Sequence, residues 1–155
     1  MIIHGDVAFM IISTVLVLIM TPGLAFFYGG LVERRNSLTM MFQSFIAIGI
    51  VPILWIFGGF SLVFGDDIWG IIGNPMQFFL FNNFTPLVVD QYNDTIPRLL
   101  FFMYQMMFAI ITAPLMTGAF ANRLTPAGWI KILILWMILV YFPVAHWVWG
   151  NGFLA

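Results

Sequence analysis

Tyr104, Phe108 and Thr112 recur every four residues, with Gln105 beside the first of them. On a helix this spacing sets the three on one face. Such a row can be ordinary packing against a neighbouring helix, or it can line a path with aromatic walls. Gln105 fits a helix contact or a hydrated cavity better than lipid, because a primary amide within an apolar segment needs partners. A second group closes the chain: Tyr141-Phe142-Pro143-Val144-Ala145-His146-Trp147-Val148-Trp149-Gly150-Asn151-Gly152. Trp147 and Trp149 are two apart and so point different ways on a helix. One can anchor at a membrane interface, where Trp is enriched, while the other faces an outer vestibule. An indole face beside water attracts a small cation by about 0.5–2 kcal/mol, depending on desolvation.

Other chemistries find little to work with. The chain has no Cys, which removes thiolate nucleophiles, disulfides and Cys-ligated metals. His4 and His146 both fall near the ends of apolar segments and supply too few ligands for a metal or haem. No Asp, Glu, Lys, Arg or His stands near the middle of any apolar segment, so a buried proton relay of the kind found in pumps is disfavoured. No catalytic constellation, metal or cofactor is expected, and the protein is not read as an enzyme.

The elements that must position these residues are legible from composition. Of 155 residues, 63% are apolar and only 7% charged. A soluble domain carries about 25% charged residues to keep its surface hydrated. The net charge of −1 gives nucleic acid no basic footprint to bind. Four stretches, about residues 7–31, 38–64, 99–121 and 127–149, are long enough for the roughly 20 helical residues that cross a bilayer. Inside hydrocarbon the backbone must satisfy itself, so each is predicted to be a helix. The expected fold class is therefore all-α, a polytopic transmembrane helix bundle. The N-terminus has no basic residue before the first apolar stretch and reads as the start of a span rather than as a cleaved leader.

The connections differ in kind. Residues 32–37 and 122–126 are short; residues 65–97 form a long, acidic and aromatic loop with Gly73-Asn74-Pro75 and Asn82-Asn83 as turn signals. Its middle, Met76–Phe81, is expected to pack on the protein or dip into the interface. Arg34, Arg35, Arg123 and Lys131 cluster at the short connections, which marks that side as cytoplasmic. Both ends of the segment, and the long loop, are then external. Each stretch holds one proline, Pro22, Pro52, Pro114 or Pro143. These are read first as residues that membrane helices tolerate, and second as kinks that shape a pore.

Three runs carry a closer likeness. Met20-Thr21-Pro22-Gly23-Leu24-Ala25-Phe26-Phe27-Tyr28-Gly29-Gly30-Leu31 resembles the end of the first helix of ammonium transporters, the Amt/Mep/Rh superfamily on its Amt side. So do Gln105-Met106-Met107-Phe108-Ala109-Ile110-Ile111-Thr112 with Gly118-Ala119-Phe120-Ala121, and the run from Tyr141 to Gly150. The likeness extends over essentially the whole chain. It implies the first four spans of an eleven-span fold with an external N-terminus, homotrimeric when full length, in the cytoplasmic (plasma) membrane. The implied activity is ammonium or ammonia uptake, with methylammonium as a possible substrate and a cytosolic regulatory protein as a possible partner.

The resemblance also implies roles. Trp149 matches the tryptophan of an outer recruitment site, Phe108 one of two stacked gate phenylalanines, and Tyr104 the adjacent aromatic position. Tyr28 matches a tyrosine that lines the pore, and Gln105 is placed with it as pore-lining. Asn122 stands where the family usually has Glu, and Asn151 where it usually has Gly. The second gate phenylalanine, the outer-site serine and both pore histidines would lie beyond residue 155, so this chain alone is expected not to conduct. Two other readings remain open: an ammonium-sensing receptor related to the transporters, and a small four-helix membrane scaffold subunit.

Overall fold

The fold, a computed structural model, describes residues 2–90, 92–120 and 123–155. Among these, four helices are long and apolar enough to cross a membrane: His4–Leu31, Arg34–Phe64, Arg98–Phe120 and Pro126–Trp149. They are called here the first to fourth spans. All four begin ahead of the apolar edge expected from the sequence, the first two by about a turn, because a helix runs on into polar residues while its backbone bonds still close. The expected end of the third span, Ala121, lies outside the described residues, as does Asn122. At the start of the fourth span Thr125 Oγ1 accepts the Gly128 N–H at 3.2 Å, with Pro126 at the first helical position. Proline there costs no hydrogen bond.

Small residues set how closely the spans approach. The buried residues of the first span are Val17, Thr21, Ala25 and Gly29, one row at four-residue spacing. Small side chains let helix backbones come together without a hydrophobic drive from water. A Cβ added at Gly29 would stand 2.7 Å from Met41 Cγ of the second span. The rest of the first span shows large apolar side chains such as Phe9, Ile12, Leu16 and Ile19 to its surroundings. The second and third spans carry most of the core, including Val51, Trp55, Phe60, Phe102, Met107 and Ile110. The fourth joins them through Trp129, whose Nε1 donates to the Gln43 carbonyl at 3.2 Å.

Three of the four prolines adjoin a departure from α geometry. A π-helical turn, Trp55–Gly59, follows Pro52, and another, Met137–Tyr141, precedes Pro143. In each the closing N–H reaches five residues back: Phe60 to Trp55 and Phe142 to Met137. A tighter 3-10 turn, Met116–Phe120, follows Pro114. Proline leaves the carbonyl four residues earlier without its helical partner; for Pro143 that is Leu139, inside the π turn, whereas the turns after Pro52 and Pro114 lie beyond those gaps. Pro22 sits inside a continuous α-helix. Non-α turns thus lie near the prolines of the second, third and fourth spans.

The long connection is built onto the ends of the second and third spans. It holds two small hairpins, β1 (Asp67–Ile68) with β2 (Ile72–Gly73), and β3 (Val89–Asp90) with β4 (Asn93–Pro97), separated by a 3-10 turn at Phe79–Phe81. Phe60 lies 5.5 Å from Phe78, 6.0 Å from Phe84 and 5.0 Å from Phe102, ring centre to ring centre. Arg98 adds its guanidinium 5.3 Å from the Phe78 ring. The Ser61 hydroxyl donates to the Asn74 carbonyl at 2.6 Å and accepts the Phe78 N–H at 3.0 Å. The apolar middle of the loop therefore packs on the protein, Phe78 against Phe60 and Phe81 5.2 Å from Phe102.

Candidate outer cation site

A cavity of about 520 Å³ opens between the third and fourth spans. The third span contributes Tyr104, Gln105, Phe108 and Thr112; the fourth contributes Trp136, Val140, Tyr141, Val144, Ala145 and Trp149. The row of four-residue spacing in the third span therefore borders a space, with Tyr104 and Phe108 also packed against the core. Tyr104 and Phe108 meet edge to face, centroids 5.0 Å apart at 80°, a favoured arrangement for aromatic pairs. Thr112 donates to the Phe108 carbonyl at 2.6 Å, so its hydroxyl is satisfied within its own helix.

No lining residue carries a formal charge at neutral pH. The polar groups are an amide, a threonine and the edges of tyrosine and tryptophan rings. Aromatic faces attract a cation through their quadrupole without fixing it as a carboxylate would. Among the described residues no group of three or more His, Cys, Asp or Glu could hold a metal ion.

Trp149, Phe108, Tyr104 and Gln105 are thus brought together. Tyr28 is not: its hydroxyl donates to the Leu115 carbonyl at 3.4 Å, near the other end of the third span. Gln105 and Tyr104 also border a smaller recess of about 310 Å³ with Asp6, Phe9 and Phe101. Sequence reasoning missed Trp136, Val140, Tyr141 and Val144 as lining residues. Their signal was present: Trp136, Val140 and Val144 form one row at spacing four, and Tyr141, Ala145 and Trp149 a second.

The two tryptophans of the closing run part as their spacing requires. Trp149 remains 60% exposed at the cavity. Trp147 Nε1 donates to the Ile71 carbonyl at 2.8 Å, so it grips the β1–β2 hairpin. Asn151 adopts a left-handed backbone at φ 64°, which asparagine tolerates better than other residues with a Cβ.

His146 is fully buried. Its Nδ1 lies 2.7 Å from the Val63 carbonyl oxygen and its Nε2 2.9 Å from Asp67 Oδ1. The hydrogen bond from His146, helped by the Gly70 N–H, holds the Asp67 carboxyl below its ordinary range; partial burial opposes them. A Cβ at Gly150 would overlap the Val63 carbonyl oxygen and stand 2.5 Å from His146 Nδ1, so only glycine fits.

Comparison with known proteins shows the family of the chain. The profile of the Ammonium Transporter Family matches residues 8–155. The chain is 48% identical to a putative ammonium transporter of Methanothermobacter thermautotrophicus, covering 97% of this chain and 37% of that protein. It is 46% identical to an ammonium transporter of Aquifex aeolicus, covering 97% and 35%. The crystal structure of Saccharomyces cerevisiae Mep2 superposes with a TM-score of 0.86 at 32% identity, over 98% of this chain and 33% of that one. A structure described as a sensor Amt protein gives 0.78 at 26% identity, over 92% and 33%. The chain thus spans roughly a third of the length of the relatives it matches.

Proposed function

Because the chain belongs to the Ammonium Transporter Family, we propose that it supplies the outer entrance for ammonium in a multi-pass membrane transporter. The observation that carries this reading is the meeting of Trp149, Phe108 and Tyr104 around one uncharged cavity. Ammonium would lodge against the exposed indole of Trp149, held by its ring face. Phe108, braced edge-on by Tyr104, would stand below as one half of a gate. Moving a bare cation into low dielectric costs many kcal/mol, so passage requires that ammonium shed its proton on the way. No titratable group of the cavity wall described above is suited to take it. That step belongs to residues outside this chain, and the chain alone does not conduct.

Tyr28 and Gln105 complete the proposal as pore-lining residues, Gln105 at the cavity and Tyr28 at the inner end. The assembly would be a homotrimer in the cytoplasmic membrane, open to methylammonium and to control by a cytosolic protein. Both ends of this segment would lie outside. A second reading, ammonium sensing, draws on the likeness to the sensor Amt protein; it uses the same outer site and differs in what lies downstream.

The test is a chimera in which these residues replace the matching stretch of the Aquifex aeolicus relative. Trp149→Leu should raise the methylammonium concentration needed for half-maximal uptake about tenfold, in keeping with a lost cation–π contact. An unchanged half-saturation would overturn the assignment of Trp149. Ammonium-dependent current from liposomes holding only the 155-residue chain would sink the claim that it does not conduct.

A further inference from the structure

Both ring nitrogens of His146 face oxygens that accept hydrogen bonds. Nδ1 meets the Val63 carbonyl at 2.7 Å and Nε2 meets Asp67 Oδ1 at 2.9 Å. A peptide oxygen cannot donate, and a neutral imidazole has one N–H to give. One contact would then set a nitrogen lone pair against an oxygen lone pair. Asp67 could relieve this only by carrying a proton itself. Its surroundings oppose that: Oδ2 accepts the Gly70 N–H at 2.8 Å, and the side chain keeps 35% of its surface in contact with solvent.

We infer that His146 is an imidazolium sealed beneath the β1–β2 hairpin, and that with Asp67 it positions Trp149 for cation binding. The pair is electrically neutral, as a buried cation must be to avoid a large desolvation cost. Neutrality matters here for a second reason. An unbalanced positive charge one helical turn before Trp149 would repel the cation that the indole attracts.

The mechanical link is the helix end. The His146 carbonyl accepts the Gly150 N–H at 2.8 Å and the Gly152 N–H at 3.1 Å. Trp149 sits within the loop these two bonds close. Anchoring the ring to the second span through Val63 and to the hairpin through Asp67 therefore fixes the turn from which the indole projects. His146 has no place in the cavity wall itself; it is a positioning residue and not a contact to the substrate.

The positioning role rests on the proposal that Trp149 takes the cation, whereas the protonation state does not. The two are tested separately. For the first, the 155-residue chain carrying His4→Gln, so that one histidine remains, is reconstituted in lipid for 15N NMR at neutral pH. Two protonated ring nitrogens are expected; a single N–H overturns the imidazolium. For the second, Asp67→Asn and His146→Gln in the chimera should each raise half-saturating methylammonium about fivefold, with maximal uptake per folded molecule within about twofold. The double variant should be no worse than either single one, and Asp67→Glu should recover part of the loss. Unchanged half-saturation with lowered maximal uptake would mean a purely structural role and overturn the positioning. If Trp149→Leu proves silent, the positioning falls with the functional reading, and the NMR result stands.

Discussion

Asp67 joins a charge on a solvent-facing hairpin to a histidine fully buried in the fourth span, and its titration has a definite sign. A carboxyl whose folded value is depressed adds stability that is complete above its unfolded value and is lost as pH falls through the folded one. The folded value here lies below the ordinary 3.8, chiefly through the His146 hydrogen bond. The Asp67 share of the stability gap between the parent chain and Asp67→Asn should therefore shrink as pH falls below about 4, as thermal unfolding across acidic pH would show. A gap that widens as pH falls below about 4 would contradict the pairing. At this scale the sequence was only partly legible. Tyr104, Phe108 and Thr112 announced a shared face by their spacing, and Trp147 and Trp149 two different directions. His146 read as a residue of the outer surface, because its partners Val63 and Asp67 lie 83 and 79 positions away and no local period reports such a pairing.

The elements follow from hydropathy and from backbone hydrogen bonding, which is why the four spans could be expected from sequence. Their internal geometry could not. Proline does not announce where a helix leaves α geometry: a π turn lies beyond Pro52, a 3-10 turn beyond Pro114, and the helix runs unbroken through Pro22. The second span bends where Gly58 takes φ 131° and ψ −9°, a conformation costly to any residue with a Cβ. That bend carries Phe57 and Phe60 into different contacts, Phe57 with Phe79 of the loop and Phe60 with the buried aromatic cluster. Gly58→Ala should cost about 1–3 kcal/mol through backbone strain, although a Cβ there would find its nearest neighbour 3.8 Å away. Unfolding measured in detergent would check it; an unchanged midpoint would mean that the bend does not depend on glycine.

The whole molecule presents one side with compact, basic connections and another with an aromatic, acidic platform. Since the chain has no Cys, its orientation can be read cleanly by single cysteines. Ser37→Cys should react with an impermeant thiol reagent only from the cytoplasmic side, and Asp66→Cys only from the outside. The reverse pattern would invert the proposed topology. The platform has a further property that concerns time. Its first hairpin is held by His146 against Asp67, by Trp147 against Ile71, and by the Phe153 N–H on the Gly70 carbonyl. All three partners come from the end of the fourth span or just past it, long after the hairpin itself has been synthesised. During membrane insertion the hairpin must wait, exposed, through the threading of two more helices. The turn that carries Trp149 is then closed into shape only once the end of the fourth span has emerged, so that its completion reports on the arrival of that span.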